Sequence, residues 1–218
     1  MENASKALVI AGTVLISILV ISVGILAFNK MSDYQKSSSD LVKDKQVAKF
    51  NEGFTQYIND DIKGIDLITV ANKVNDYNNK KIDYGVINYD QKINMTINMT
   101  KYNEKNRNSI FKNQYNSSSA FINDIKPYIN LEDEYSIKVL ELLYSNIESL
   151  RNKDKTVEQV LGTNRYNGKN LITNINNGNF SELEKYSEYA EFKGKQFKGN
   201  EPEYEKAQIK KMSFEFVK

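Results

Sequence analysis

The chain of 218 residues carries 30 Lys and Arg against 28 Asp and Glu, which gives a formal net charge of +2. It contains no Cys and no His, and this excludes Ser-His-Asp and Cys-His catalysis, zinc sites of the nitrogen and sulfur kind, and haem or iron–sulfur ligation through those groups. The near-neutral balance predicts no basic face for nucleic acid, so no nucleic-acid partner is expected.

The first element along the chain is an apolar run, Ala7–Phe28, with no charge, side-chain amide or proline. As a helix of about 22 residues it would be roughly 33 Å long, which is enough to cross a hydrocarbon core of about 30 Å. We therefore expect residues 1–30 to form an N-terminal anchor that binds the lipid bilayer through Ala7–Phe28. A signal peptide cleaved near Ser22 and Gly24 is the alternative, although the start is not basic and the run is long for a signal.

Small residues within this run give it a candidate contact face. Thr13, Ser17 and Gly24 fall near one side of the helix, and Ala7 and Ala11 make a second small pair. Small residues let two membrane helices approach closely, so self-association is a hypothesis, while ordinary membrane-helix composition explains the same residues.

Membrane orientation is read from the lysines on either side of the anchor. Lys6 lies at one end, whereas the other end is followed by Lys30, Lys36, Lys43 and Lys45, and this count favours a cytoplasmic domain. A short anchor ahead of a large domain commonly acts as an uncleaved export signal, and an Asn-, Tyr- and Thr-rich domain without Cys is typical of a surface location. We expect the domain to lie outside the cell membrane.

After the anchor, residues 31–46 form a polar stalk or linker, and residues 47–218 form one soluble domain of ordinary size. The stalk includes a Ser37-Ser38-Ser39 run and either continues the helix or relaxes into a linker. The spacing of apolar residues then predicts two amphipathic helices, the first over Val47–Ile58 and the second over Ile65–Tyr77.

The spacing of apolar residues changes in the next part of the chain. In INMTINMT, the residues Ile93, Met95, Ile97 and Met99 alternate with polar ones, which predicts a strand with one buried face. A short helix is predicted to stop before Pro127. A longer helix is predicted to follow, capped by Asn130 and buried through the stripe Val139, Leu143, Ile147 and Leu150.

The last third predicts further sheet. Asn167-Gly168 and Asn177-Gly178 bracket a short predicted strand, Leu171–Ile175. Ser181 with Glu184 has the capping-box spacing of a helix start, and Phe192–Lys198 with Ile209–Val217 reads as a pair of strands. The predicted fold class is α+β, with an N-terminal transmembrane helix followed by helices and a small antiparallel β-sheet.

Three clusters are candidate sites. Glu132-Asp133-Glu134 is the densest acidic cluster and matches a divalent-cation site, but the start of a helix explains it equally. Asp60-Asp61 matches a pair of acid–base carboxylates on an exposed loop. The run around Gly178 fails as a calcium loop, because Thr173 and Ile175 stand where acidic ligands belong. We therefore assign no catalytic, cofactor-binding or metal residue.

The segments MENASKALVIAGTVLISILVISVGILAF and FNEGFTQY carry a resemblance. They resemble uncharacterised single-pass membrane proteins of clostridia-like bacteria that begin M-(E/D)-N-A-S-K-A-L, and this resemblance covers roughly the first 80 residues without implying a catalytic residue. The order of helix and then sheet is also similar to type IV pilin-like proteins. The pilin processing signature is missing, because neither Gly12 nor Gly24 is followed by Phe or Met with Glu at the fifth position.

The expected function is that of a membrane-anchored, non-enzymatic protein whose outer domain mediates interaction or assembly at the bacterial envelope, as pilin-like or secretion and conjugation accessory proteins do. A tyrosine-rich surface is expected to supply the contact area. A cytoplasmic-facing membrane adaptor and a membrane-tethered, carboxylate-dependent hydrolase are the alternatives.

Overall fold

The structure is a computed structural model that describes residues 2–79, 91–106 and 109–218. The chain divides into two units, with the boundary between Lys49 and Phe50. Helix α1, Glu2–Thr55, runs through the described part of the first unit and ends inside the second. Residues 31–46 are helical throughout.

The second unit mixes helices with one sheet, as the α+β prediction requires. The further helices that the structure describes are α2 (Gly64–Asn78), α3 (Thr100–Lys105), α4 (Ser118–Tyr135), α5 (Ile137–Ser145), α6 (Ile147–Arg151), α7 (Val157–Leu161), α8 (Asn170–Asn176) and α9 (Ser181–Phe192). The strands described are β1 (Ile62–Lys63), β2 (Asn94–Asn98), β3 (Gln114–Tyr115), β4 (Gln196–Gly199), β5 (Glu203–Glu205) and β6 (Gln208–Phe216).

Strand β6 is the longest strand described and lies inside the sheet, whose order is β1-β4-β6-β2-β3 with β5 also paired to β6. Its alternation is the predicted one, because Met212, Phe214 and Phe216 are buried and Ser213 is not. The pairing predicted between Phe192–Lys198 and Ile209–Val217 is also present, since β4 lies antiparallel to β6 with Phe197 opposite Phe216.

The prediction of a purely antiparallel sheet was wrong at the central pair. Strand β2 runs parallel to β6, with Met95 opposite Met212 and Ile97 opposite Phe214. Parallel neighbours need a long connection, and here the chain between β2 and β6 contains helices α3 to α9 together with strands β3, β4 and β5. The alternation in each strand is the same for either direction, so it predicted the strands without predicting their direction.

The break between the middle helices was also predicted in the wrong place. Helix α4 continues through Pro127 to Tyr135, and the chain turns at Ser136, which has a φ of 60°. Asn130 therefore caps no helix, and Glu132 lies in the last turn of α4 instead of the first turn of a new helix. Pro127 and Asn123 are exposed, so water can reach the Asn123 carbonyl that loses its amide partner.

Residues 171–175, predicted as a strand, lie in helix α8. Leu171, Ile172 and Ile175 are buried, a helical spacing that a short apolar run does not distinguish from a strand. The Leu171 amide at the start of the helix donates to the Tyr135 hydroxyl at 3.0 Å. Phe192, predicted as the start of a strand, is the last residue of α9, and the strand begins at Gln196.

The core of the second unit combines aliphatic side chains with many aromatic ones. Phe192 is fully buried, and its ring centroid lies 4.4 Å from that of Phe111 and 5.3 Å from that of Phe197. Phe50 and Phe54, in the last turns of α1, are 1% and 0% exposed, and the Phe50 ring centroid lies 4.9 Å from that of Tyr77. Burial of such large side chains contributes strongly to the hydrophobic stabilisation of the second unit.

Candidate functional site

Helix α1 presents the largest apolar surface that the structure describes. Every Leu, Ile, Val and Phe side chain from Leu8 to Phe28 is exposed, and α1 is one helix that is long and apolar enough to span a membrane. The hydroxyls of Thr13, Ser17 and Ser22 donate to backbone carbonyls of the same helix at 2.8–2.9 Å. Because those hydroxyls are already hydrogen-bonded, an apolar environment would leave none of them without a partner.

The acidic cluster at residues 132–134 does not converge on a metal position. Glu132 alone points inward: its Oε1 accepts from the Tyr186 hydroxyl at 2.9 Å and pairs with the Lys193 ammonium. Asp133 and Glu134 are exposed. Across the ranges that the structure describes, no group of three or more Asp and Glu side chains is placed to hold a metal ion.

Two other carboxylates, Asp124 on α4 and Glu188 on α9, also hold the fold together. Asp124 accepts from the Tyr115 hydroxyl at 3.0 Å and pairs with the Lys112 ammonium at 3.1 Å. Glu188 accepts from the Ser109 hydroxyl at 2.6 Å and from the Ile110 amide at 3.0 Å. Sequence reasoning missed both, because their partners are distant in the chain. The donors around them leave little capacity for proton transfer to a substrate.

Asp60 and Asp61 do not form a carboxylate pair. Asp60 lies 3.3 Å from the Lys198 ammonium and Asp61 lies 3.2 Å from that of Lys63, and the two aspartates are 81% and 72% exposed. Such solvated ion pairs do not enclose a substrate.

The remaining sequence candidates have structural roles. Gly178 has a φ of +80° just after helix α8. Lys210 and Lys211 pair with Glu205 and Glu203, each at 2.6 Å. Asn94 and Asn98 lie on β2, within the segment predicted as a strand. The Lys80-Lys81 pair lies outside the described residues.

Six tyrosines are buried in the core and are not part of the expected tyrosine-rich recognition surface, whereas Tyr34, Tyr166 and Tyr204 are exposed. Tyrosines that are at most 2% exposed are Tyr77, Tyr102, Tyr115, Tyr135, Tyr186 and Tyr189. Burial raises the pKa of the Tyr186 hydroxyl, and the neighbouring Glu132 carboxylate raises this pKa further. Burial likewise raises the pKa of Tyr189 and Tyr102. The phenols of Tyr186, Tyr115 and Tyr135 fit the core because their hydroxyls have hydrogen-bond partners there.

One shallow pocket combines apolar and basic residues. It has a volume of about 250 Å³, and its lining includes Leu150, Val157, Ile175 and Phe180 together with Arg151, Lys153 and Lys155. Arg151 pairs with Glu148 and Glu184, and its guanidinium lies 5.4 Å from the centre of the Phe180 ring. The described residues that line this pocket include no Asp or Glu, so they supply no pair of carboxylates for acid–base hydrolysis.

No family model, curated protein or solved structure matches this chain. The functional argument therefore rests on the geometry of the two units.

Proposed function

We propose that the chain is a membrane-anchored, non-enzymatic protein whose domain, from Phe50 onward, lies outside the cell membrane and mediates interaction or assembly at the bacterial envelope. The observation that carries this proposal is that every Leu, Ile, Val and Phe side chain over Leu8–Phe28 is exposed. Each large apolar side chain transferred out of water contributes about 1.5–3 kcal/mol. A lipid bilayer accommodates all of them at once.

The state of the second unit supports a role in binding over catalysis. Its inward carboxylates Glu132, Asp124 and Glu188 are held by tyrosine, lysine, serine or backbone donors. The pocket described above lacks a general acid and base. A long N-terminal helix joined to an α+β domain is also the order of elements in pilin-like proteins, but the missing processing signature leaves polymerisation outside the proposal.

Membrane attachment is tested by extraction with alkaline carbonate. The full chain should remain in the membrane pellet, whereas a version that begins at Met31 should be found in the supernatant. Release of the full chain by carbonate would contradict the anchor, since a helix buried in hydrocarbon resists this treatment.

Orientation is tested with single cysteines, which the chain allows because it has none of its own. Glu201→Cys and Ser5→Cys place one exposed thiol on each side of the apolar run. A membrane-impermeant maleimide added to intact protoplasts should label Glu201→Cys, and Ser5→Cys only after permeabilisation. The reverse pattern would establish the cytoplasmic-facing adaptor that the lysine count favours.

Assembly is tested on the same cells with an impermeant amine cross-linker. Discrete species larger than one chain are expected, and those with a partner bound through the domain from Phe50 onward should disappear when that domain is removed, which leaves only species joined through α1. A chain that stays monomeric under these conditions would contradict the proposed role in assembly.

A further inference from the structure

The stalk part of α1, residues 29–49, has exposed apolar side chains of its own. Met31, Tyr34, Leu41 and Val42 are 63%, 75%, 62% and 52% exposed. These residues follow the uncharged run, so in an anchored chain they lie outside the hydrocarbon core. The bilayer that covers Ala7–Phe28 does not cover them.

These exposed residues follow the spacing of a coiled coil. We define the seam as the series Met31, Tyr34, Ser38, Leu41, Lys45 and Ala48, in which steps of three and four residues alternate. Three of the four exposed apolar side chains lie on the seam, and Val42 lies directly beside Leu41. The charged residues Asp33, Lys36, Asp40 and Lys43 all fall on the outer positions of the same repeat. This is the division expected of a two-helix contact.

The same spacing continues backward into the apolar run. Stepping back from Met31 reaches Ala27, Gly24, Val20, Ser17 and Thr13 in turn. Four of these five are small enough for close approach of two membrane helices, whereas the Ala7 and Ala11 pair lies off the series. A contact that begins along the stalk can therefore continue into the membrane without a change of face.

The stalk has little to stabilise it as a lone helix in water. It contains the Ser37-Ser38-Ser39 run, and the ion pair within it that the structure describes joins Asp40 and Lys43 at 4.0 Å. Most helices in proteins are stabilised by packing of an apolar face and not by propensity, and a single exposed pair contributes only about 0.3–0.5 kcal/mol. A second helix packed on the seam would supply the missing stabilisation.

We propose that the seam binds the seam of a second copy of this chain, so that two α1 helices form a parallel dimer. This inference rests on the membrane anchoring proposed above, because a shared bilayer aligns two copies in the same direction. Flanking charge fits this alignment: Asp44 of one copy faces Lys49 of the other in a parallel register. Neither side chain has an ion pair within the described ranges, and both are exposed.

Lys45 indicates the number of helices. It is the one charged residue on the seam, seven residues after Ser38, and a Lys at such a position helps to specify register and oligomer state at a cost in stability. Its long side chain can leave the contact and keep its ammonium in water. The repeat predicts a left-handed supercoil, since a seven-residue repeat drifts around a straight helix.

The serine run provides a matched cross-linking series. Ser37→Cys, Ser38→Cys and Ser39→Cys differ only in which side of the helix carries the thiol, and Ser-to-Cys changes are nearly isosteric. In membranes containing the full chain, mild oxidation should join Ser38→Cys into a disulfide-linked dimer about tenfold faster than Ser39→Cys, because only seam positions bring two thiols within disulfide reach. Ser37→Cys should be intermediate.

A second comparison tests the seam by charge. Adding Leu41→Asp to the Ser38→Cys chain should reduce cross-linking about tenfold, because it places two carboxylates in the contact. The matched Ser39→Asp change, which adds the same charge on an outer position, should leave cross-linking nearly unchanged. Cross-linking speeds that are equal along the series would indicate random collision and would overturn the dimer.

Other outcomes are equally informative. Cross-linking of Ser38→Cys to a different protein would overturn the second copy as the occupant. A detergent-solubilised mass greater than two chains would overturn the two-helix contact. The cross-linking is read in isolated membranes, where both faces are accessible. Its failure would leave the maleimide measurement of orientation, and hence the proposed function, unaffected.

Discussion

The two units of the chain differ in the exposure of their apolar side chains. From Leu8 to Val42 every large apolar side chain is exposed, whereas in the second unit the exposed ones that the structure describes are isolated, such as Ile65 and Tyr204. The second unit thus buries most of its own apolar surface, whereas that of the first is exposed and would be covered by the proposed bilayer and the proposed second helix. Helix α1 contains both kinds of apolar side chain, because those from Leu8 to Val42 are exposed whereas Phe50 and Phe54 near its end are buried.

The most damaging change to the self-sufficient unit should be Phe214→Asp. Phe214 is 1% exposed on strand β6, opposite Ile97 of β2. A carboxylate there has no partner, and the cost of at least several kcal/mol approaches the whole stability of a domain of this size. The domain 47–218 should unfold, as measured by circular dichroism and protease digestion.

The matched control is Glu215→Gln, one residue along the same strand. Glu215 lies on the partly exposed face, opposite Lys198 of β4, so losing its charge should change the melting temperature little. Equal effects of the two substitutions would mean that the two faces of β6 are not distinct.

Alkaline pH should be the next strongest perturbation of the second unit. Burial raises the pKa of Tyr102, Tyr115, Tyr186 and Tyr189 above the ordinary value of 10.0. Above about pH 10 the unfolded chain loses these protons and the folded chain retains them, so the unfolded state gains stability as pH rises. Below that pH these groups have the same protonation in both states, and their stabilisation is fully present.

This prediction is measured by urea unfolding at several pH values together with tyrosinate absorbance. Each tyrosine kept protonated lowers the free energy of unfolding by up to about 1.4 kcal/mol per pH unit. The tyrosinate signal of the buried residues should appear together with unfolding. A constant urea midpoint between about pH 9 and 11 would contradict the burial of the phenols.

Burial of the tyrosines also shows where sequence reasoning reached its limit. Alternation in β2 and β6 predicted the buried faces correctly, because a strand has only two faces and the apolar residues choose one. The tyrosines carry both a ring and a hydroxyl, so composition alone left open whether they formed a surface or a core. Their placement is decided by distant partners, such as Glu132 for Tyr186 and Asp124 for Tyr115.

Helix boundaries were the other weak point, for local reasons. The constraint on the residue before proline predicted a break ahead of Pro127, but buried residues on both sides, including Ile125 and Leu131, hold one continuous helix. The actual break at Ser136 requires a positive φ, for which serine gives no sequence signal. Predicted carboxylate sites depended on those boundaries, so Glu132 was placed at the wrong end of a helix.

A smaller loss is expected where the backbone of the second unit passes close to itself. A methyl group on Gly64 would lie 2.0 Å from the Phe192 carbonyl oxygen. Gly64→Ala must therefore move helix α2 away from the end of α9, and we expect a loss of about 1–3 kcal/mol. Gly194→Ala is the control, since its nearest contact would be the Glu191 carbonyl oxygen at 3.6 Å. Thermal melts of the two variants should differ clearly in the stated direction.

The smallest effect should come from Glu132→Gln, which tests whether an inward carboxylate of the second unit serves structure or chemistry. Glu132 accepts from Tyr186 and pairs with Lys193, and the side chains of the ion pair are 17% and 20% exposed. Glutamine keeps an acceptor for Tyr186 but removes the charge that faces the ammonium. Lys193 retains its position 5.0 Å from the centre of the Tyr189 ring, which offsets part of the loss. We expect a decrease of about 1–2 kcal/mol in the free energy of unfolding.

Asp133→Asn, at the exposed neighbouring position, should stay within about 0.5 kcal/mol of the parent chain. Urea unfolding of both variants with and without millimolar calcium separates the two roles. A structural carboxylate gives the Glu132→Gln loss at either calcium concentration, because no metal contributes to the folded state. If calcium stabilises the parent chain and each of the two substitutions removes that gain, the acidic cluster is a metal site after all, since mass action then links the cation to folding.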